Sequence, residues 1–148
     1  MTALIDELAD RLAIFELKAR YCRLLDTKQW DDWAQLFTED YVLDVSDDSG
    51  QPPIEGRDAV MAFVAAALST AVTAHQVHFP EISIDGDTAL TVFPMMDRVI
   101  LGPGKASFTG YGHYHHSLVR RDGEWKIARM RLARLHIDQH PAAQERGQ

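Results

Sequence analysis

The chain has 148 residues, 46% hydrophobic and 25% charged, the balance of a single globular domain with room for a sizeable core. A formal charge of −7 speaks against nucleic acid and anionic membrane surfaces as partners. The lone Cys22 excludes an internal disulfide, and there is neither a basic-plus-apolar leader nor an apolar run of about 18 residues, so the chain reads as cytoplasmic.

Residues 4–26 read as one long helix. At about 100° per residue, Leu8, Phe15, Ala19 and Cys22 share a narrow sector, read as the buried stripe, and Asp26 falls in it. Glu16, Arg20, Arg23 and Thr27 form a separate polar face. A carboxylate on a buried stripe costs several kcal/mol unless it is hydrogen-bonded or paired. Asp26 therefore needs a partner. His75 is the best candidate, because an imidazole oriented by an aspartate makes a good general base. The alternative is that Asp26 merely ends the helix ahead of an exposed turn, Thr27-Lys28-Gln29.

A short second helix is predicted over 30–37, with Trp30, Trp33 and Phe37 at helical spacing, then a strand over 41–45 and a polar loop over 46–53. Gly56-Arg57-Asp58 opens a third helix, with Val60, Phe63, Val64, Ala67 and Leu68 on its buried side. Four extended segments follow, at 72–84, 87–101, 105–120 and 124–137. They are joined by Asp85-Gly86-Asp87, Gly102-Pro103-Gly104 and Arg121-Asp122-Gly123, which are turn signals. Helices first and a meander second is an α+β pattern. Pro80 and Pro94 within the strands imply bulges or edges that let the sheet curl around a pocket. Apolar residues on both alternating sets (Leu90, Val92 and Met96 against Ala89, Phe93 and Met95) predict a homodimer or homotrimer through the outer sheet face.

The histidines of Gly112-His113-Tyr114-His115-His116 look metal-like, but on a strand His116 points away from His113 and His115, and no carboxylate accompanies them. No metal and no cofactor is expected. Tyr111 and Tyr114 are read as sheet residues whose hydroxyls line or rim the cavity. One domain is expected over 1–140, with a loose tail over 141–148.

Ile14-Phe15-Glu16-Leu17 through Tyr21 to Asp26, Trp33-Ala34-Gln35-Leu36-Phe37 and Gly56-Arg57-Asp58-Ala59 resemble SnoaL-like proteins of the nuclear transport factor 2-like superfamily. So do His75 ahead of Ile84-Asp85-Gly86-Asp87 and the run from Val119 to Ile127. The resemblance spans about residues 5–137. It implies a cone, formed by a curved antiparallel sheet and three helices from the first half of the chain, enclosing an apolar pocket for a small molecule. Its nearest-looking branch contains scytalone dehydratase, bile-acid dehydratase and dehydrochlorinase enzymes, and the superfamily also holds ketosteroid isomerases, polyketide cyclases and non-catalytic members. What the resemblance implies is a cofactor-free lyase or isomerase of dehydratase type, with His75 as base, Asp26 as its orienting carboxylate and Tyr21 as the pocket tyrosine. A polyketide cyclase and a non-catalytic binding or assembly module are the alternatives. Those enzymes also draw a pocket arginine from the last strand. Met130 occupies the dehydrochlorinase arginine position, and Arg129, Arg131 and Arg134 compete for the role.

Overall fold

A computed structural model describes residues 1–142; residues 143–148, most of the expected tail, lie outside the described residues. The first helix, α1, runs Thr2–Asp26 and is followed by a single-turn-and-a-half α2, Trp30–Ala34. Phe37 does not close α2 as its spacing suggested. It begins β1 (Phe37–Asp44), where its ring stacks on that of Tyr41 at 4.1 Å. The polar loop contains a short helix, α3 (Ser46–Ser49), and a two-residue strand, β2 (Ile54–Glu55), before α4 (Arg57–Leu68).

The second half supplies β3 (Val72–Val77), β4 (Glu81–Asp85), β5 (Thr88–Ile100), β6 (Ser107–Arg121) and β7 (Glu124–His140). The predicted 72–84 segment is thus two strands, both paired antiparallel to β5, with Pro80 in the gap between them. The order across the sheet is β2-β1-β7-β6-β5-β3, with β4 also on β5. Every pair is antiparallel except β1 with β7, which the chain reaches only after crossing the fold. At the β6–β7 hairpin Asp122 and Gly123 both take positive φ, 52° and 77°, the geometry that a two-residue turn between right-twisted strands requires.

The curvature does not come from Pro94. The β5–β6 register runs unbroken through it, whereas the β6–β7 register shifts twice, at Tyr111/Gly112 and Ser117/Leu118. Each shift adds twist and bends the sheet. On its concave side the inward residues of β5, β6 and β7, including Phe93, Met95, Leu118, Ile127 and Leu132, form one core with α1, α2 and α4.

The face that α1 buries differs from the predicted stripe. Ile14, Leu17, Lys18, Tyr21, Leu24 and Leu25 go inward, with Cys22 at their edge. Leu8 is 57% exposed and Ala19 is exposed, so the Leu8–Phe15–Ala19 row lies largely outside. The helix carries two apolar faces, and a single-stripe reading selects the wrong one. On α4, Val60 and Val64 are buried as expected, while Phe63 and Ala67 stay exposed.

Candidate active site

Asp26 is the last residue of α1, where the helix dipole disfavours a negative charge. Its compensation comes from β3. Thr73 and His75 are two apart on a strand and so present their side chains to the same face. The Thr73 hydroxyl donates to Asp26 Oδ1 at 2.8 Å, the His75 backbone N–H donates to Oδ2 at 2.9 Å, and His75 Nδ1 lies 2.6 Å from Oδ1. Lys28, just past the helix, donates its Nζ to Thr73 Oγ1 at 2.8 Å and extends the network by one link. Burial alone would raise the Asp26 pKa. The hydrogen bonds from the His75 ring and backbone and from Thr73 outweigh it and hold the carboxyl below the usual carboxylate range.

An ionised Asp26 accepts, so His75 Nδ1 carries the proton and Nε2 keeps its lone pair. His75 lines a cavity of about 230 Å³, and the Nε2 edge is the one near Asp97, which also lines it. Asp26 itself stands behind the imidazole and not in the cavity wall. Its angular separation from Tyr21 along α1 therefore presents no difficulty: Tyr21 lines the cavity directly and Asp26 acts through His75.

A second charged pair faces the same space. Asp97 Oδ2 is 3.9 Å from His75 Nε2, too far for a hydrogen bond, because both its oxygens are held by Arg134, Nη1 to Oδ1 at 2.8 Å and Nη2 to Oδ2 at 2.9 Å. Asp97 is on β5 and Arg134 on β7, two strands away across β6. The pair crosses β6 above Gly110, where a Cβ would stand 2.1 Å from Arg134 Nη1 and 2.3 Å from Asp97 Oδ1. Glycine is required here for space. Arg134 Nε also donates to Asp48 of α3 at 2.8 Å, tying the loop before α4 to the cavity wall. Burial would lower the Arg134 pKa, but the bonds to Asp97 and Asp48 more than reverse this, and the guanidinium stays charged.

The remaining lining is apolar, with Leu25, Trp33, Val64, Met130 and Leu132 among its residues, together with the phenols Tyr21 and Tyr114. Burial, then neighbouring tyrosines and acids, pushes both phenols well above their usual pKa, so they stand as neutral donors. Between their rings sits Lys18, its Nζ 3.5 Å from the Tyr21 centroid and 3.7 Å from that of Tyr114. Lys18 Nζ, Thr91 Oγ1 and both ring nitrogens of His116 are buried without a hydrogen-bond partner among the described residues. Burial lowers Lys18 to about 7 and His116 well below the usual imidazole value.

Of the residues singled out by sequence, Tyr21, His75 and Tyr114 line one cavity, and Asp26 supports it from behind. Arg129 and Arg131 do not reach it. They share the outward face of β7 with half-exposed side chains and pair with Asp44 and Asp47. Tyr111 also faces outward, stacked on His136 at 6.3 Å. Arg134 and Met130 share the inward parity of β7, and the alternation Met130-Leu132-Arg134 already separates Arg134 from Arg129 and Arg131. Asp97 was missed. Its signal was a carboxylate in phase with Phe93, Met95 and Val99 on the inward side of a strand. Among the described residues no three His, Cys, Asp or Glu side chains are placed to hold a metal ion, and no helix is long and apolar enough to cross a membrane.

A cone of sheet and helices around an apolar cavity, with an Asp-oriented imidazole in its wall, defines a class of small-molecule pocket proteins. The chain belongs to the SnoaL-like domain family of the nuclear transport factor 2-like superfamily, whose pattern matches residues 6–131. An uncharacterized protein of Mycobacterium tuberculosis, Rv2910c, is 27% identical over 84% of this chain and 85% of its own length. The crystal structure of the Kfla4162 protein from Kribbella flavida superposes with a TM-score of 0.83 at 23% identity, covering 89% of this chain and 95% of that one. Hexachlorocyclohexane dehydrochlorinase LinA-type3 from Novosphingobium barchaimii LL02 superposes at 0.78 with 18% identity, covering 92% and 93%. These two structural likenesses establish the shared fold.

Proposed function

We propose that this protein is a cofactor-free acid–base enzyme of lyase or isomerase type, acting on a small, largely apolar molecule that carries a carbonyl or hydroxyl group. One observation carries the reading: His75 is fixed through Nδ1 by Asp26 at 2.6 Å while its ring lines an apolar cavity. A cavity of about 230 Å³ lies below the roughly 300–1,000 Å³ of sites for drug-sized ligands, which limits the substrate to a compact molecule.

In this mechanism His75 Nε2 removes a proton from the carbon next to the carbonyl, and Asp26 stabilises the imidazolium formed. The electron pair moves onto the carbonyl oxygen, which the neutral hydroxyls of Tyr21 and Tyr114 meet as donors. In a dehydration the enolate re-forms the carbonyl and expels the β-hydroxyl, which takes the proton from the imidazolium and leaves as water. In an isomerisation the same proton returns to a different carbon. Asp97, close to Nε2 but held by Arg134, lowers the cost of the transient positive charge on the ring. The branch resemblance, and the dehydrochlorinase among proteins of this fold, support an elimination.

The test uses small cyclic ketones in D2O, read by NMR. Deuterium should enter the α-carbon at a rate that His75→Ala nearly abolishes. Exchange unchanged by His75→Ala would sink the reading. Ketone binding without any exchange would leave a ligand-binding module.

A further inference from the structure

The apolar row that the fold leaves outside α1 needs an occupant. Leu4, Leu8, Leu12, Phe15 and Ala19 fall within about 80° of one another around the helix and extend about 22 Å along it. Leu4, Leu8 and Leu12 are 57–59% exposed, and Phe79 is 88% exposed with its ring edge-on to Phe15 at 5.8 Å. Ala19, Phe15, Phe79 and Pro80 belong to an apolar groove at the C-terminal end of the row. One end of the row therefore presents leucine knobs and the other a notch floored by an alanine.

We propose that α1 packs antiparallel against α1 of a second copy of this chain, about a two-fold axis near Leu12. That register sets Leu4 of one copy over Ala19 of the other and Leu8 over Phe15, each twice, as an isologous interface requires. Knob and notch thus meet from both directions. Leu4, Ile5, Leu8, Leu12 and Phe79 together offer on the order of 600 Å² per copy, near the roughly 800 Å² per partner of a standard interface before flanking residues are added. The outer sheet face is the weaker surface. Its apolar residues Val92, Pro94 and Met96 are already half-buried, and beside them run His113, His115, Arg129 and Arg131. Self-association is thereby moved from the sheet, where strand alternation placed it, to the helix.

Sedimentation velocity at tens of micromolar tests the proposal, that being the scale expected for an interface of this size. The wild type should sediment as a dimer. Leu8→Glu combined with Leu12→Glu should give a monomer with unchanged circular dichroism, and Met96→Glu should leave the dimer intact. Leu12→Cys should form an intersubunit disulfide on mild oxidation, since the two positions 12 face each other across the axis while Cys22 is buried. A monomeric wild type, a trimer, a dimer that survives the double substitution, or a dimer broken by Met96→Glu would each overturn it. So would a Leu12→Cys chain that fails to cross-link.

Discussion

Two polar clusters lie within the concave side of the sheet, and they are treated in opposite ways. Around His75 every charged group is engaged: Asp26 by Thr73 and His75, Asp97 by Arg134, Arg134 also by Asp48. Around Lys18 nothing is. Lys18, Thr91 and His116 have no hydrogen-bond partner among the described residues, and Lys18 rests on two aromatic faces. The physical consequence differs accordingly. Satisfied charges stay ionised in a buried site, whereas unsatisfied bases shift toward their neutral forms. The first cluster can hold and move a proton at a defined atom; the second sits behind the two phenols of the cavity wall at a cost in stability.

The largest effect should come from breaking the satisfied cluster at its base. His75→Ala should nearly abolish deuterium exchange, and Asp26→Asn should slow it by roughly 10²–10⁴-fold while the fold persists. Asp26 also sets an acid limb. Because its folded pKa is depressed, its stabilising contribution is present at neutral pH and lost as pH falls through that folded value. Asp26→Asn should flatten this limb in urea titrations across acidic pH.

Next comes the pair across β6. Arg134→Met leaves Asp97 as an uncompensated buried carboxylate and should cost about 3–5 kcal/mol in chemical denaturation. Gly110→Ala, which forces a Cβ into the same space, should destabilise in the same direction without removing either charge. If Arg134→Met were neutral, the contrast between the two clusters would fail.

The unsatisfied cluster predicts the opposite sign. The Lys18 pKa falls from 10.5 to about 7 on folding, so between those values the unfolded chain holds a proton that the folded one lacks. Stability should therefore rise as pH increases through that window and be lowest below it. Lys18→Met should gain a few kcal/mol near neutral pH, and its stability curve should be flatter from about pH 7 to 10. Smallest is Tyr21→Phe, which removes one donor while Tyr114 and the base remain. Roughly tenfold slower exchange is expected, with little change in the melting temperature.

Much of the site was legible because charges in apolar positions stand out. Asp26 drew attention for that reason and its partner was His75, although the stripe that framed the argument lies on the exposed side of α1. The same test applied to β5 would have found Asp97 among Phe93, Met95 and Val99. Arg134 was harder to single out among three arginines, since the register shift at Tyr111/Gly112 governs how β7 lies against β6 near it. The helix–strand order and the Asp-Gly turns were readable from local chemistry. The parallel β1–β7 pair and the Phe37 strand start were not, because both depend on contacts between residues far apart in sequence.

The central claim is that the basic nitrogen of His75 faces the cavity. ¹⁵N NMR of the imidazole, assigned by comparison with His75→Gln, reads this directly and needs no substrate. In the unliganded protein at neutral pH the account predicts a proton on Nδ1, directed at Asp26, and an unprotonated Nε2. A proton on Nε2 with Nδ1 bare would contradict it, since the cavity would then meet a donor and not a base.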